Sequence, residues 1–262
     1  MILRRLTENL KQQNWTAIWI EFVLLVAGVF LGIQVSNWNA AQADARLGRD
    51  YVQRLTRDLR EDLGAVRAQS AYYAAVLQSV RDTDALLRAA DPDPRALVVN
   101  AYRATEITDI PPVRATWDQI VASGHLGLLP AGAVESGLSQ YYAFDITRDI
   151  YNIGLDSAYR QTARKIIPLT MQEAIRAGCS DVRDKRGNVV GFEKECKLDV
   201  DPAELEAVAT ALRRDPAVIA DLQYQYTIAV GAVLNLDGTA VTIVDGLRAL
   251  GATPEPAENA SP

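Results

Sequence analysis

Residues 15–38 read WTAIWIEFVLLVAGVFLGIQVSNW. Between Thr16 and Val35 a single side chain ionises, Glu21. At about 1.5 Å per residue, a helical run of about 20 residues crosses a hydrocarbon core of roughly 30 Å. Trp15 and Trp19 stand at one end and Trp38 at the other, where amphipathic rings favour the membrane–water boundary. No second run of this kind is expected in the rest of the chain. A cleaved secretory signal competes with this reading, because AQADA at 41–45 offers small residues for cleavage. A signal core spans only about 7–15 residues, and a carboxylate suits it poorly. The expectation is therefore a retained transmembrane helix over 15–38.

On a helical wheel Ala17, Glu21, Leu24, Gly28, Gly32 and Val35 fall on one narrow stripe. The stripe combines a carboxylate with two glycines four apart, and the other faces carry Val, Leu, Phe and Ile. Small residues let two helix backbones approach closely. A charge at the bilayer centre costs about 3 kcal/mol on insertion scales, and less near the end of a span, where Glu21 lies. Three readings of Glu21 stay open: protonation or snorkelling to the headgroups, pairing across a helix interface, or a place on a proton or ion path. Ala17, Glu21, Gly28 and Gly32 are the expected helix-packing residues in the membrane. The competing reading of the glycines is that membrane helices contain glycine generally.

Arg4, Arg5 and Lys11 precede the span, while Arg46 and Arg49 follow it, a small bias for a cytoplasmic amino terminus. The only two cysteines, Cys179 and Cys196, bracket SDVRDKRGNVVGFEKE. Asp-Lys-Arg-Gly-Asn reads as a tight turn, with Val189, Val190 and Phe192 on a returning strand. Such a hairpin brings its ends within disulfide reach, and a bonded pair there fits an oxidising compartment. Closing a loop of that length stabilises by about 3 kcal/mol in the chain-entropy view. Two unrelated cytosolic thiols are the alternative. The layout that follows is a cytoplasmic tail over 1–14, the span over 15–38, a periplasmic body over 39–251 with its hairpin at about 179–197, and a disordered tail over 252–262.

The whole chain has 262 residues, 49% apolar and 23% charged, enough to bury a core. Its net charge of −6, with basic residues scattered among acids, argues against a nucleic-acid partner. One histidine and two cysteines leave little for zinc or haem, so no metal or cofactor is expected.

The segment NWTAIWIEFVLLVAGVFLGIQVSNWN resembles the amino terminus of a family of uncharacterised bacterial single-span, membrane-anchored proteins. The matching positions are Trp15 to Ile18, Glu21, Gly28 to Gly32, Gln34 and Asn37 to Asn39. TWDQIVASGHLGLLP, Thr116 to Pro130, and the paired Tyr141 and Tyr142 are a second similar stretch. The resemblance covers the anchor and about half of the remaining chain. It implies membrane location and no activity, the family being known only as a domain of unknown function.

Beyond the span, Val52, Leu55, Leu59, Leu63 and Val66, then Tyr73, Leu77, Val80 and Leu87, recur at helical spacing. One helix is expected from about 40 to 89, continuous or nearly so with the span and ended by DPDP at 91–94. Arg57 and Glu61 look like an i,i+4 pair on its polar side. PRALVVNAYRATEI reads as a short helix and TDIPPV as a loop. TWDQIVASG reads as another short helix that buries Trp117, Ile120 and Val121, with Gly124 just past its end. A long helix is expected from 131, with Leu138, Tyr142, Ile146, Ile150 and Ile153 on one side, until Pro168 kinks or ends it. Asp201, Pro202 and Glu204 resemble a capping box. Ala217 to Leu250 reads as a last long helix with Gly231 and Gly238 as points of interruption. The expected class is all-α: a single N-terminal transmembrane helix followed by a periplasmic antiparallel helical bundle with one small β-hairpin.

No phosphate-binding loop, dinucleotide fingerprint, nucleophile elbow or zinc-protease helix is present in the sequence. Ser123 and His125, with Asp118 or Glu135, are the one local nucleophile-base candidate. Adjacency in sequence means little for a triad, and a histidine at a helix C-terminus has a dipole role. Glu61 with Asp62, and Asp91 with Asp93, read as helix-face and turn residues rather than acid/base pairs. Tyr72, Tyr73, Tyr141, Tyr142, Tyr151, Tyr159, Tyr224 and Tyr226 read as core residues with the hydroxyl at the edge, the alternative being a ligand groove. The expected function is a non-catalytic, membrane-anchored interaction or scaffold protein. It would contact lipid and pack on another membrane protein or on itself. The alternative is a periplasmic ligand-sensing module that signals through a separate membrane partner, its small-molecule ligand unknown.

Overall fold

The structure, a computed structural model, describes residues 15–254; the expected tail over 1–14 and residues 255–262 of the expected disordered tail lie outside the described residues. Helix makes up 75% and strand 3%, so the class is helical with one small antiparallel sheet. The chain divides into two compact units, one ending at Gln53 and the other beginning at Arg54.

Helix α1, Trp15–Arg88, runs without a break through the apolar stretch and the helically spaced apolar residues that follow it. None of its most apolar window is buried; Trp15, Phe22, Leu24, Phe30 and Trp38 are all exposed. From Arg54 onward the pattern changes. Leu55, Leu59, Leu63, Val66, Tyr73, Leu77, Val80 and Leu87 are buried, and each large apolar side chain taken from water stabilises by about 1.5–3 kcal/mol.

Helix α2, Pro94–Arg103, starts at Asp93, whose carboxylate accepts the Arg95 N–H at 3.0 Å. Helix α3, Ala115–Ala122, ends before Gly124, which takes φ +70° as expected of a residue just past a helix end. It buries Thr116, Trp117 and Ile120. Val121, expected among them, is 47% exposed, because an eight-residue helix turns only a narrow face inward.

The long helix expected from 131 is not formed. A single π-helical turn, Val134–Leu138, precedes α4, Ser139–Ala143; α5, Ile146–Leu155; α6, Ala158–Ile166; and α7, Leu169–Gly178. The breaks have local causes. Gly137 takes φ +92°, which other residues rarely adopt. Asp145 and Ser157 accept N–H bonds from Arg148 and Arg160 and so start new helices. Pro168 separates α6 from α7. Re-aiming the segments leaves Ile153 54% exposed, while Leu138, Tyr142 and Ile150 are buried.

Strands β1, Asp181–Arg183, and β2, Val189–Phe192, pair antiparallel, with Asp181 opposite Phe192 and a register irregularity at Val182/Arg183. Asp184 holds the turn between them by accepting the Arg186 and Asn188 N–H groups at 2.8 and 2.9 Å, and Gly187 takes φ +85°. Helix α8, Pro202–Arg214, is capped by Asp201. Glu204 does not complete a capping box; it accepts the Thr170 hydroxyl at 3.3 Å. Helix α9, Pro216–Ala249, passes through Gly231 and Gly238 unbroken.

Helix α9 is also long and apolar enough to cross a membrane by length and composition, which corrects the expectation of a single such run. Only 22% of its most apolar window is buried, yet one side of it enters the core. Val218, Leu222, Ala229, Leu236, Ile243 and Leu247 are buried, and the helix packs against α5, α6 and the π-helical turn. Leu138 fits so closely there that a Cβ on Gly246 would lie 2.4 Å from it. One contiguous core joins the end of α1 to α2, α6, α7, α8 and the start of α9.

Candidate functional site

The packing stripe expected in the membrane lies wholly on α1. Gly28 and Gly32 present open space, with nothing within 4 Å of a Cβ built on either. Ala17 and Glu21 are half-buried. The Glu21 Oε2 atom is screened from solvent and, among the described residues, has no hydrogen-bond partner.

The cysteine expectation concerns a different unit. Cys179 and Cys196 stand at disulfide-bonding distance with Cα atoms 4.5 Å apart. The hairpin they close is pinned from α2 by two arginines. Arg95 donates to the Cys196 and Leu198 carbonyls at 3.3 and 3.1 Å, and Arg103 to the Glu193 carbonyl at 2.7 Å. Phe192 rests on Tyr72, ring centroids 5.2 Å apart. Gly178 is required beside the pair, since a Cβ there would meet the Lys197 carbonyl oxygen at 2.2 Å.

Two clusters of polar groups were not legible as such in the sequence. The first surrounds two acids one turn apart on α1. Asp58 and Asp62 are only 3% and 2% exposed, which corrects the reading of Asp62 as a solvated face residue. Asp62 accepts the Val113 N–H at 2.8 Å and the Tyr141 hydroxyl at 2.9 Å. Asp58 accepts the Thr116 hydroxyl and pairs with Arg57 at 3.3 Å; the expected Arg57–Glu61 pair gives way to this one. Above them Trp117 stacks on Tyr142, centroids 4.9 Å apart. Burial raises the Asp62 carboxyl from its ordinary 3.8 to about 6, opposed by the Val113 and Tyr141 hydrogen bonds and aided by Asp58. Burial also pushes the Tyr141 and Tyr142 hydroxyls up, Asp62 adding to both.

Such a carboxyl can exchange a proton near neutrality, a property of acid/base residues. The space beside it is small. The cavity lined by Asp62, Pro111, Tyr141 and Thr147 holds about 10 Å³, room for roughly one water molecule. The arrangement therefore holds the 107–114 loop and α4 onto α1.

The second cluster centres on Glu106. Arg164 donates to its carboxylate, Arg176 approaches at 3.9 Å, and the Tyr72 hydroxyl donates at 3.5 Å. The Arg164 guanidinium lies 3.7 Å from the Tyr102 ring centroid, and Arg176 donates to the Tyr102 oxygen at 2.7 Å. These bonds tie α2 to α1, α6 and α7.

The remaining candidates are placed plainly. His125 sits in the turn after α3, its N–H donating to the Ile120 carbonyl at 3.0 Å, and Asp118 is engaged by Arg114 at 3.2 Å. Tyr72, Tyr73, Tyr142 and Tyr159 are buried, whereas Tyr224 and Tyr226 are 65% and 43% exposed and depart from the core reading. Among the described residues no group of three or more His, Cys, Asp or Glu is placed to hold a metal ion. Compared with family models, with curated proteins and with solved structures, the chain gives no match.

Proposed function

We propose that this protein is a membrane-anchored, non-catalytic interaction protein of the bacterial inner membrane. Its span over 15–38 packs on another membrane helix, from a second protein or a second copy, and its helical body meets a partner in the periplasm. The observation that carries this reading is the stripe on α1. Gly28 and Gly32 are open to a neighbour, and the Glu21 Oε2 atom is shielded without a partner among the described residues. In lipid a close-packed small-residue face and an unpaired carboxylate are both satisfied by a second helix. The bonded cysteines support an oxidising compartment for the body.

Site-specific photocrosslinking in intact membranes tests it. A crosslinker at Leu24, on the stripe, is expected to give a discrete protein adduct, and one at Phe30, on the opposite face, only lipid adducts. Replacing Gly28 and Gly32 together by Ile should abolish the Leu24 adduct. Equal adducts from both faces, or an adduct that survives the double substitution, would sink the reading.

A further inference from the structure

A larger cleft of about 340 Å³ opens between the last turns of α1 and the first turns of α9. Val80, Arg81, Asp84 and Arg88 line it from α1, and Leu222, Gln223 and Tyr226 from α9. Arg81, Asp84 and Arg88 share a helix face by their spacing of three and four residues. Val80 and Leu222, both buried, form an apolar floor.

The charges in the cleft do not cancel. Arg88 donates to both oxygens of Asp84 at 2.8–3.0 Å, so that pair is closed on itself. The adjacent acid, Asp82, accepts from Gln78 at 2.8 Å. Arg81 has no carboxylate partner among the described residues; its guanidinium lies 5.8 Å from the Tyr226 ring centroid. The cleft thus holds one uncompensated positive charge over an aromatic face, in a chain whose net charge is −6. Arg81 faces a space of ligand size, at the lower end of the roughly 300–1,000 Å³ typical of small-molecule sites.

We propose that this cleft binds a small planar monoanion, an aromatic carboxylate. The guanidinium fork presents parallel N–H donors that match a carboxylate in two-point contact. The ring of the ligand then lies beside Tyr226 and over Val80 and Leu222, and the Gln223 amide offers a further polar contact. A dianion such as phosphate fits less well, because only one positive charge is uncompensated and Asp84 sits on the rim. The inference stands on the second unit alone and does not depend on the membrane reading.

Calorimetric titration of the full chain in detergent micelles tests it, with benzoate as probe and benzamide as its uncharged isostere. Saturable benzoate binding is expected, with benzamide at least tenfold weaker. Arg81→Gln should weaken benzoate at least tenfold, and Tyr226→Leu several-fold. Arg248→Gln, which removes an exposed arginine elsewhere on the chain, should leave it unchanged. Because Arg81 is exposed, Arg81→Gln should melt as the parent does; Arg81→Lys, which keeps the charge and loses the fork, should bind with intermediate strength. The proposal is overturned if benzoate fails to saturate by about 10 mM, roughly ten times a millimolar dissociation constant. It is equally overturned if benzamide binds as well, or if Arg81→Gln binds like the parent.

Discussion

Asp62 carries its charge in a poor place for one. It is 2% exposed, and burial raises its carboxyl to about 6 against two hydrogen bonds that favour ionisation. The folded protein therefore holds the Asp62 proton more tightly than the unfolded chain between about pH 4 and pH 6. Over that window the native state binds more protons, so this group's contribution to stability falls as pH rises. The shift from 3.8 to about 6 corresponds to roughly 3 kcal/mol at 1.36 kcal/mol per unit. Asp62→Asn keeps one acceptor for Val113 or Tyr141 and removes the titration. Urea midpoints followed by tryptophan fluorescence should show the parent well ahead of Asp62→Asn near pH 4.5, with the gap narrowing or reversing by about pH 7.5. Parallel profiles would mean that Asp62 titrates as an ordinary exposed acid. Sequence alone could not supply this. Helical spacing does place residue 62 near the Leu59–Leu63 face, and that was the available signal. The acid's partners, Val113 and Tyr141, lie 51 and 79 residues away.

At the scale of elements the hairpin was the most legible piece. Its turn residues, its returning strand and its bracketing cysteines are all local signals, and each appears in the structure where the pattern put it. Replacing Cys179 and Cys196 together by Ala should lower the unfolding free energy by about 3 kcal/mol. The helical circular dichroism should stay unchanged, because Arg95, Arg103 and the Phe192–Tyr72 contact still seat the hairpin. An unaltered denaturation midpoint would show that the crosslink contributes no stability. The long helix expected from 131 failed for an equally physical reason. Leu138, Tyr142, Ile146 and Ile150 do keep helical spacing, but Gly137 before them, Asp145 among them and Ser157 after them let the chain re-aim. Gly231 and Gly238 had the opposite outcome: α9 stays helical through both, because buried neighbours such as Ala232 and Leu236 hold it. Helix propensity differs by only about 1 kcal/mol per glycine, and packing outweighs it.

For the molecule as a whole, the decisive feature is an apolar stretch of α1 that no part of the described fold covers. A chain with this surface is expected to remain in the pellet after alkaline carbonate extraction of membranes. In intact cells a membrane-permeant maleimide should leave both cysteines unlabelled until reductant is added. Release of the full-length chain by alkali would remove the anchor, and immediate labelling would remove the oxidising compartment. The sequence by itself determined the lipid-length run, the cap at Asp201 and the cysteine-closed hairpin, because each follows from residues within a few turns of one another. Only the tertiary structure decided that Asp58 and Asp62 point inward, that α9 turns Val218, Leu222 and Leu236 into the core, and that Arg81 faces Tyr226 across a cleft. Those outcomes depend on residues tens to more than a hundred positions apart, whose approach is set by the packing of the whole core and leaves no mark on local periodicity.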